Sequence, residues 1–189
     1  SRVMGHLGAG WLERSSRERE ERTDLLLSHL PIDDASVVAD IGAGTGYFTF
    51  RLANHVRFIY AVDIQQEMLD IMGKRISISG FDNVATVLGS EKNPGLSKES
   101  IDLIFIVDAY HEFSYPYEMG KAMVEALKPG GKLVLIEYRA EDPEVPIKRL
   151  HKMSQAQVVK EMSEIGMKLY SDDIVLPQQH FLVFTKMGD

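Results

Sequence analysis

Residues 37 to 50 read VVADIGAGTGYFTF. A short apolar run ends at Asp40 and Ile41, glycines follow at 42, 44 and 46, and aromatic and aliphatic residues resume at once. Glycine lets the main chain turn sharply and approach another group with no Cβ in the way. A helix that starts directly after such a turn leaves free N–H groups at its first residues. The loop Gly42, Ala43, Gly44, Thr45 and Gly46 therefore predicts a strand, a bare turn and a helix that together cradle a polar ligand.

The rest of the chain repeats the strand and helix alternation. Strands are predicted over 37–41, 58–62, 84–88, 101–107 and 132–138. Helices are predicted over 46–53, 65–79, 115–127 and 154–165, with Met68, Leu69, Met72 and Ile76 at helical spacing in the second. KPGG (128–131) ends the third helix, and Ser154 caps the fourth, which Gly166 closes. Residues 167–176 and 180–186 then read as two strands of a closing hairpin. Short crossovers force parallel neighbours, so the expected fold is a doubly wound, Rossmann-like α/β sheet of seven strands. It is mostly parallel, with one antiparallel strand from the hairpin and helices on both faces. Its ligand belongs at the carboxyl ends of the strands, where the strand order reverses.

Residues 1–30 are expected to form an N-terminal helical cap, and 31–189 the binding domain. The segment 11–30 reads as helix. Glu13 and Arg17, and Glu18 and Arg22, sit four apart and are placed as ion pairs on a solvated face. Trp11 is the candidate to close over a pocket, and Asp24 the candidate cap of a separate helix ending at Pro31.

Charge and composition narrow the partners. The formal net charge is −7, which gives no global reason to bind nucleic acid or an anionic membrane. No apolar run approaches a membrane span, and no signal-peptide pattern opens the sequence. The absence of cysteine removes disulfides, thiolate metal sites and cysteine nucleophiles, and fits a cytoplasmic protein. A homodimer stays open.

Spacing sharpens the ligand. A dinucleotide fingerprint reads G-x-G-x-x-G, whereas here the third glycine comes one position early. Asp63 ends the second strand, where a carboxylate can accept two hydrogen bonds from a ribose diol. The expected ligand carries a free ribose, and the loop is not built for a pyrophosphate. A nicotinamide-dependent oxidoreductase shares Asp63 but not the glycine spacing.

VVADIGAGTGYFTFRLA, YAVDIQQEML, DLIFIVDAYHEF and ALKPGGKLVLIEYR resemble the successive motifs of the class I S-adenosylmethionine-dependent methyltransferases. The resemblance covers about residues 31 to 189. It implies that Asp40 and the loop from Gly42 to Gly46 hold the methionine part of S-adenosyl-L-methionine. It places Asp63 on the ribose hydroxyls and Ile64, with Met68, against the adenine. Gly89, Ser90 and Glu91 would sit at the adenine edge, with Ser90 and Glu91 competing for its amino group. Asp108 would face the cofactor sulfur or the substrate.

Methyl transfer from a sulfonium is an in-line displacement that needs alignment and exclusion of water. A base is required only when the acceptor holds a proton that must leave. His111 titrates near neutrality and is the candidate base, with Asp108 and Tyr110 as its catalytic neighbours. Tyr110 and Tyr115 are candidates for the substrate wall. Glu137, Tyr138 and Arg139 emerge at the same rim, Arg139 reading either as an anion clamp or as half of a salt bridge. His151 and Lys152 follow in a loop that can reach the rim, and His180 reads as structural. Glu112 has no second histidine in an H-E-x-x-H pattern, so no metal is expected.

The fourth strand carries no [D/N]PPY tetrapeptide, so the resemblance to amino-directed DNA methyltransferases fails. A small-molecule acceptor is the expectation, with a loose resemblance to the methyltransferases of quinone biosynthesis. A scaffold that binds the cofactor without catalysis stays open beside it.

Overall fold

A computed structural model describes residue 5 and residues 8 to 188 of the 189. Parts of the expected cap, residues 1–4, 6 and 7, lie outside the described residues.

The alternation predicted from sequence is present. Strands β1 (Val37–Ile41), β2 (Phe58–Asp63), β3 (Val84–Leu88), β4 (Ile101–Val107), β5 (Leu127–Arg139), β6 (Lys152–Met153), β7 (Met167–Asp172) and β8 (Gln179–Lys186) form one sheet. Its order is β3-β2-β1-β4-β5-β8-β7, with β6 pairing off this path against the end of β5. Only β8 runs antiparallel to its neighbours. The two-residue β6 makes this eight strands where seven were expected. Strand order reverses between β1 and β4, so the loops after these two strands flank the crevice in which such sheets bind ligands.

Side chains of a strand alternate between faces, and here both faces are apolar because both are covered. Ala39, Ile41, Ile104, Ile106, Leu133 and Leu135 pack against Met119 and Met123 of α6 (Pro116–Ala126) and Val158 and Met162 of α7 (Gln155–Glu164). Val38, Leu103, Phe105, Val134 and Ile136 pack on the other side against Leu26 of α3 (Thr23–His29) and Phe48 and Leu52 of α4 (Tyr47–Leu52). Leu69 and Met72 of α5 (Gln66–Ser79) pack on Ala43 and Ala61 beside the glycine loop. Ser154 caps α7 as expected, its hydroxyl accepting from the Gln157 N–H at 3.2 Å.

The third helix stops at Ala126, and the strand already begins at Leu127, so the KPGG turn is an irregularity inside β5. Pairing with β4 shifts register between Ile101 and Leu103 to absorb it.

The N-terminal segment departs from expectation. In place of one helix over 11–30 there are three short ones: α1 (Ala9–Leu12), α2 (Arg17–Glu21) and α3. Arg22, with φ of 51°, breaks the run between α2 and α3. The expected pairs at Glu13/Arg17 and Glu18/Arg22 do not form; Arg17 pairs with Glu21, Arg22 with Asp24, and Glu13 with Arg75. The physical reason is burial. Arg17 and Glu21 face inward, 5% and 1% exposed, and a buried charge must find a close opposite charge. Asp24 does not cap α3, because its carboxylate is taken by Arg22 at 2.8 and 2.9 Å.

Phe105 of β4 is fully buried and meets Phe48 of α4 edge to face at 6.4 Å. Phe105→Ala should lower the free energy of unfolding by about 3 to 5 kcal/mol, read as a reduced urea midpoint at unchanged slope. A midpoint equal to wild type would mean that this contact does not hold α4 to the sheet.

Candidate functional site

The loop after β1 crosses the carboxyl ends of its neighbouring strands. The N–H groups of Gly42 and Ala43 both donate to the Val62 carbonyl, at 2.9 and 3.0 Å. The Gly44 N–H donates to Asp63 Oδ2 at 2.9 Å. All three glycines have positive φ, at 76°, 55° and 86°. A Cβ on Gly42 would stand 2.7 Å from the Ala109 Cβ, so the approach of this loop to the end of β4 requires glycine. A Cβ on Gly46 would stand 2.6 Å from the Phe50 ring.

Asp63 is buried and accepts from Gly44 N–H through one oxygen and from Gln65 N–H, at 2.9 Å, through the other. Burial raises its pKa, and these backbone donors oppose the rise. A carboxylate has about four lone-pair directions, so acceptor capacity remains beyond the two N–H groups. Asp40 lies beneath the loop and accepts the Thr49 hydroxyl at 2.6 Å. Burial pushes its pKa up to about 7. Thr45 donates its hydroxyl to Glu13 at 2.6 Å, and Arg75 binds both Glu13 and the Thr45 carbonyl, which ties the loop to the N-terminal segment.

One cleft gathers most of the residues singled out from sequence. Asp40, Gly42, Ala43, Gly44, Thr45, Asp63, Ile64, Met68, Glu91 and Asp108 line it. Gly46, Gly89 and Ser90 do not. Gly46 sits at the start of α4, Gly89 donates its N–H to the Asp63 carbonyl at 3.0 Å, and the Ser90 hydroxyl is spent on the local turn to Asn93. Glu91 is thus the acidic residue at this edge, its carboxylate accepting from Ser114 at 3.0 Å. Trp11, Leu12 and Arg17 close the cleft from the N-terminal side, and Leu12 lies 3.0 Å from where a Gly44 Cβ would be.

Asp108 follows β4 with φ of 50°, a conformation that an aspartate adopts more readily than most side chains. Its Oδ2 accepts from Gln179 Nε2 at 2.7 Å. Its Oδ1 is buried with no hydrogen-bond partner among the described residues, as is Gln179 Oε1. Burial drives the Asp108 pKa well above the ordinary carboxylate range, and the negative charges of Glu21 and Glu137 add to this. An unmatched buried acceptor beside a ligand cleft fits a ligand that brings a hydrogen-bond donor or a positive charge. The bare loop, the Asp63 carboxylate and this acceptor line one cleft.

The DAYHEF segment divides two ways after Asp108. Tyr110 is 3% exposed and packs on Phe113 at 5.2 Å, away from the cofactor cleft and along a second cavity. His111 lines that second cavity too, while Glu112 lines the first. His111 Nδ1 lies 2.7 Å from Glu137 Oε2, and its backbone N–H donates to Glu137 Oε1 at 3.2 Å. Its Nε2 lies 3.0 Å from His151 Nδ1. Burial lowers the His111 pKa and raises that of Glu137 to about 8. Glu137 and His151 were read only as rim residues; their convergence on His111 comes from parallel strands β4 and β5 ending side by side. Nothing in their sequence spacing signals it.

Arg139 makes no salt bridge to an acid among the described residues. Its guanidinium donates to the carbonyls of Pro177 and Leu176, at 2.9 and 2.6 Å, and anchors the turn before β8. Lys152 donates to the Asp142 carbonyl at 3.0 Å, and His180 pairs with Glu141 at 3.0 Å. Tyr115 stands half-exposed at the start of α6, under the Lys92 ammonium.

Known proteins match this arrangement. A family described as "Methyltransferase domain" matches residues 32–179. A methyltransferase-like protein of Schizosaccharomyces pombe is 38% identical over 125 residues, which are 66% of this chain and 46% of that protein. The ubiquinone/menaquinone biosynthesis C-methyltransferase of Wigglesworthia glossinidia brevipalpis is 30% identical over 53% of this chain and 42% of its own length. The tRNA U34 carboxymethyltransferase of Desulfotalea psychrophila is 33% identical over 61% of this chain and 37% of its own. The chain thus spans less than half the length of these curated relatives. A crystal structure of an S-adenosylmethionine-dependent methyltransferase from Aquifex aeolicus superposes with a TM-score of 0.88. It is 20% identical, and the match covers 96% of this chain and 98% of that one.

Asp63→Ala removes the acceptor for Gly44 N–H and the acceptor offered to a ribose. S-adenosylhomocysteine should bind the variant about 10-fold or more weakly by calorimetry, since charged hydrogen bonds contribute about 1.5 to 3 kcal/mol. An unchanged dissociation constant would take Asp63 off the ligand. Gly44→Val should abolish that binding while the circular dichroism spectrum persists, because valine resists φ near 55° and would crowd Leu12, 3.0 Å from the new Cβ.

Proposed function

The chain belongs to the class I S-adenosylmethionine-dependent methyltransferases, and from that premise we propose that it methylates a small-molecule acceptor. The observation that carries this reading is one cleft holding the glycine loop, Asp63 and the unmatched Asp108 Oδ1. S-adenosylmethionine, when bound, supplies a methyl group on a positively charged sulfur.

The chain's own residues then have separable tasks. The loop from Gly42 to Gly46 presents backbone to the methionine part. Asp63 takes the ribose hydroxyls. Ile64, 37% exposed at the cleft, and Met68, buried beneath it, supply apolar contact for the adenine, with Glu91 at its edge. Asp108 offers Oδ1 toward the positive end of the ligand. This carboxyl is costly to ionise in the dry site, and a neighbouring cation offsets that cost.

Residues 8–30 act as a cover. Arg17 is wedged over Tyr47 and Phe48, with its guanidinium 4.2 and 4.9 Å from the ring centres, and paired to Glu21, which also accepts from Arg14 and Tyr138. This buried network pins α2, while Trp11 stays 45% exposed at the mouth. Closure therefore belongs to α1, ahead of the pinned helix. A cover of this size excludes water from the displacement, which is the main requirement of the reaction.

The acceptor side is the second cavity beyond Glu112, and the group that serves it is His111. With Nδ1–H donated to Glu137, the electron pair of the ring sits on Nε2. The acidic surface and the helices, none long and apolar enough to cross a membrane among the described residues, suit an acceptor taken from solution in the cytoplasm. The loop is one residue short of the pyrophosphate fingerprint, which argues against a nicotinamide.

A screen of small-molecule pools with methyl-labelled cofactor tests the reading. Label transferred to a pool component supports it, whereas label transferred only to tRNA or protein would replace the small-molecule acceptor. Once an acceptor is found, His111→Ala should lose about 10²- to 10⁴-fold in turnover while binding S-adenosylhomocysteine as wild type does. Full turnover would remove His111 from the acceptor side.

A further inference from the structure

We propose that His111, Glu112 and His151 form a divalent metal site on the acceptor side of the cleft. His111 Nε2 is 3.0 Å from His151 Nδ1 and 3.9 Å from Glu112 Oε1. One ligand atom from each residue lies within 4.8 Å of the other two. Zinc binds histidine nitrogen and carboxylate oxygen at about 2.0 to 2.2 Å, so neighbouring ligands of a tetrahedral ion stand about 3.3 to 3.6 Å apart. His111 Nε2 is within a few tenths of an ångström of that spacing from each of the other two, and the remaining pair lies within 4.8 Å, so rotation of the His151 and Glu112 side chains would complete the set.

The surroundings are those of a ligand set. A metal-bound histidine ordinarily gives its other ring N–H to a carboxylate, which fixes the ring and raises its basicity. Glu137 is placed to take that N–H here. It is fully buried, holds Nδ1 at 2.7 Å, and also accepts the His111 backbone N–H, so the ring cannot swing. His151 arrives from a different part of the chain. The turn Arg149–His151 leads into β6, whose pairing of Lys152 with Tyr138 carries that turn back to the end of β5. The two imidazole planes cross at 89° with ring centres 5.1 Å apart, so the nitrogens converge without the rings stacking.

Two histidines and one carboxylate leave at least one position open, as catalytic zinc sites do. Glu112 lines the cofactor cleft and His111 the second cavity, so the ion would stand between cofactor and acceptor. This deepens the methyltransferase reading and rests on it for one consequence: the acceptor would present a hydroxyl or enol oxygen. Coordination lowers the pKa of that oxygen, and its proton passes to solvent. The resulting oxyanion then forms the new C–O bond as the methyl–sulfur bond breaks, and the neutral thioether leaves with the electron pair. His111 serves the acceptor through the ion, as a ligand.

Cobalt(II) is the probe, because its visible ligand-field absorption reports coordination without turnover. Metal-depleted protein should gain saturable absorption at one cobalt per chain, displaced by zinc. His151→Ala should weaken cobalt binding by about 100-fold or more, since even outer partners of a metal ligand are worth 10- to 100-fold. Its affinity for S-adenosylhomocysteine should stay at the wild-type value, which also shows that it folds. Glu112→Gln provides a second variant, with folding read by circular dichroism, and should weaken cobalt similarly. No absorption in wild type, or equal absorption in both folded variants, overturns the site. Failure of wild type to bind S-adenosylhomocysteine would sink the methyltransferase reading and leave the metal result standing.

Discussion

The whole arrangement depends on one close approach of a glycine backbone to a neighbouring methyl group. The loop after β1 lies against the ends of β2 and β4 because Gly42 has no side chain to strike Ala109. The same loop is pinned to β2 by the Gly42 and Ala43 N–H groups on the Val62 carbonyl and by Gly44 N–H on Asp63. Asp63 is therefore a structural brace, and in the function we propose it is also the carboxylate offered to ligand. Its second oxygen fixes the Gln65 N–H, so the start of α5 is set by the same side chain. A ligand that draws on Asp63 reads the positions of two strands at once.

From this brace the site divides into layers of increasing polarity. The sheet beneath is apolar on both faces, which forces the charged residues to its carboxyl edge. There Asp40, Asp63, Asp108 and Glu137 are all buried or nearly so, and burial raises the pKa of each. Four crowded carboxyl groups are expensive in the absence of cations. Arg17, wedged over the α4 aromatic rings, supplies one positive charge from the N-terminal segment. The proposed sulfonium beside Asp108 and metal ion beside Glu112 would supply two more.

Much of this was legible in the sequence. The glycine spacing and Asp63 pointed to the loop that lines the cleft, and the apolar runs placed β1, β3 and β4 at their observed bounds. What was not legible came from residues whose partners lie far along the chain. Glu13 sits four residues from Arg17, yet it binds Arg75, 62 residues away, because Arg17 is turned inward onto Tyr47. His111 joins Glu137 and His151, 26 and 40 residues on, through strand pairing that no local pattern announces. The same holds for the metal site we propose. A search along one helix finds no second histidine after Glu112, whereas the sheet brings His151 in from the β5–β6 connection. Arg139 shows the opposite error, since its guanidinium meets backbone carbonyls, partners that no side-chain pattern reveals.

The central claim is that backbone and one carboxylate at the crest of the sheet hold an adenosyl ligand. A crystal structure of the protein with S-adenosylhomocysteine tests it most directly. The account predicts electron density for the ligand along residues 42–46, with both ribose hydroxyls on Asp63 and the sulfur toward Asp108. Density at another place on the molecule, or a ribose turned away from Asp63, would contradict it.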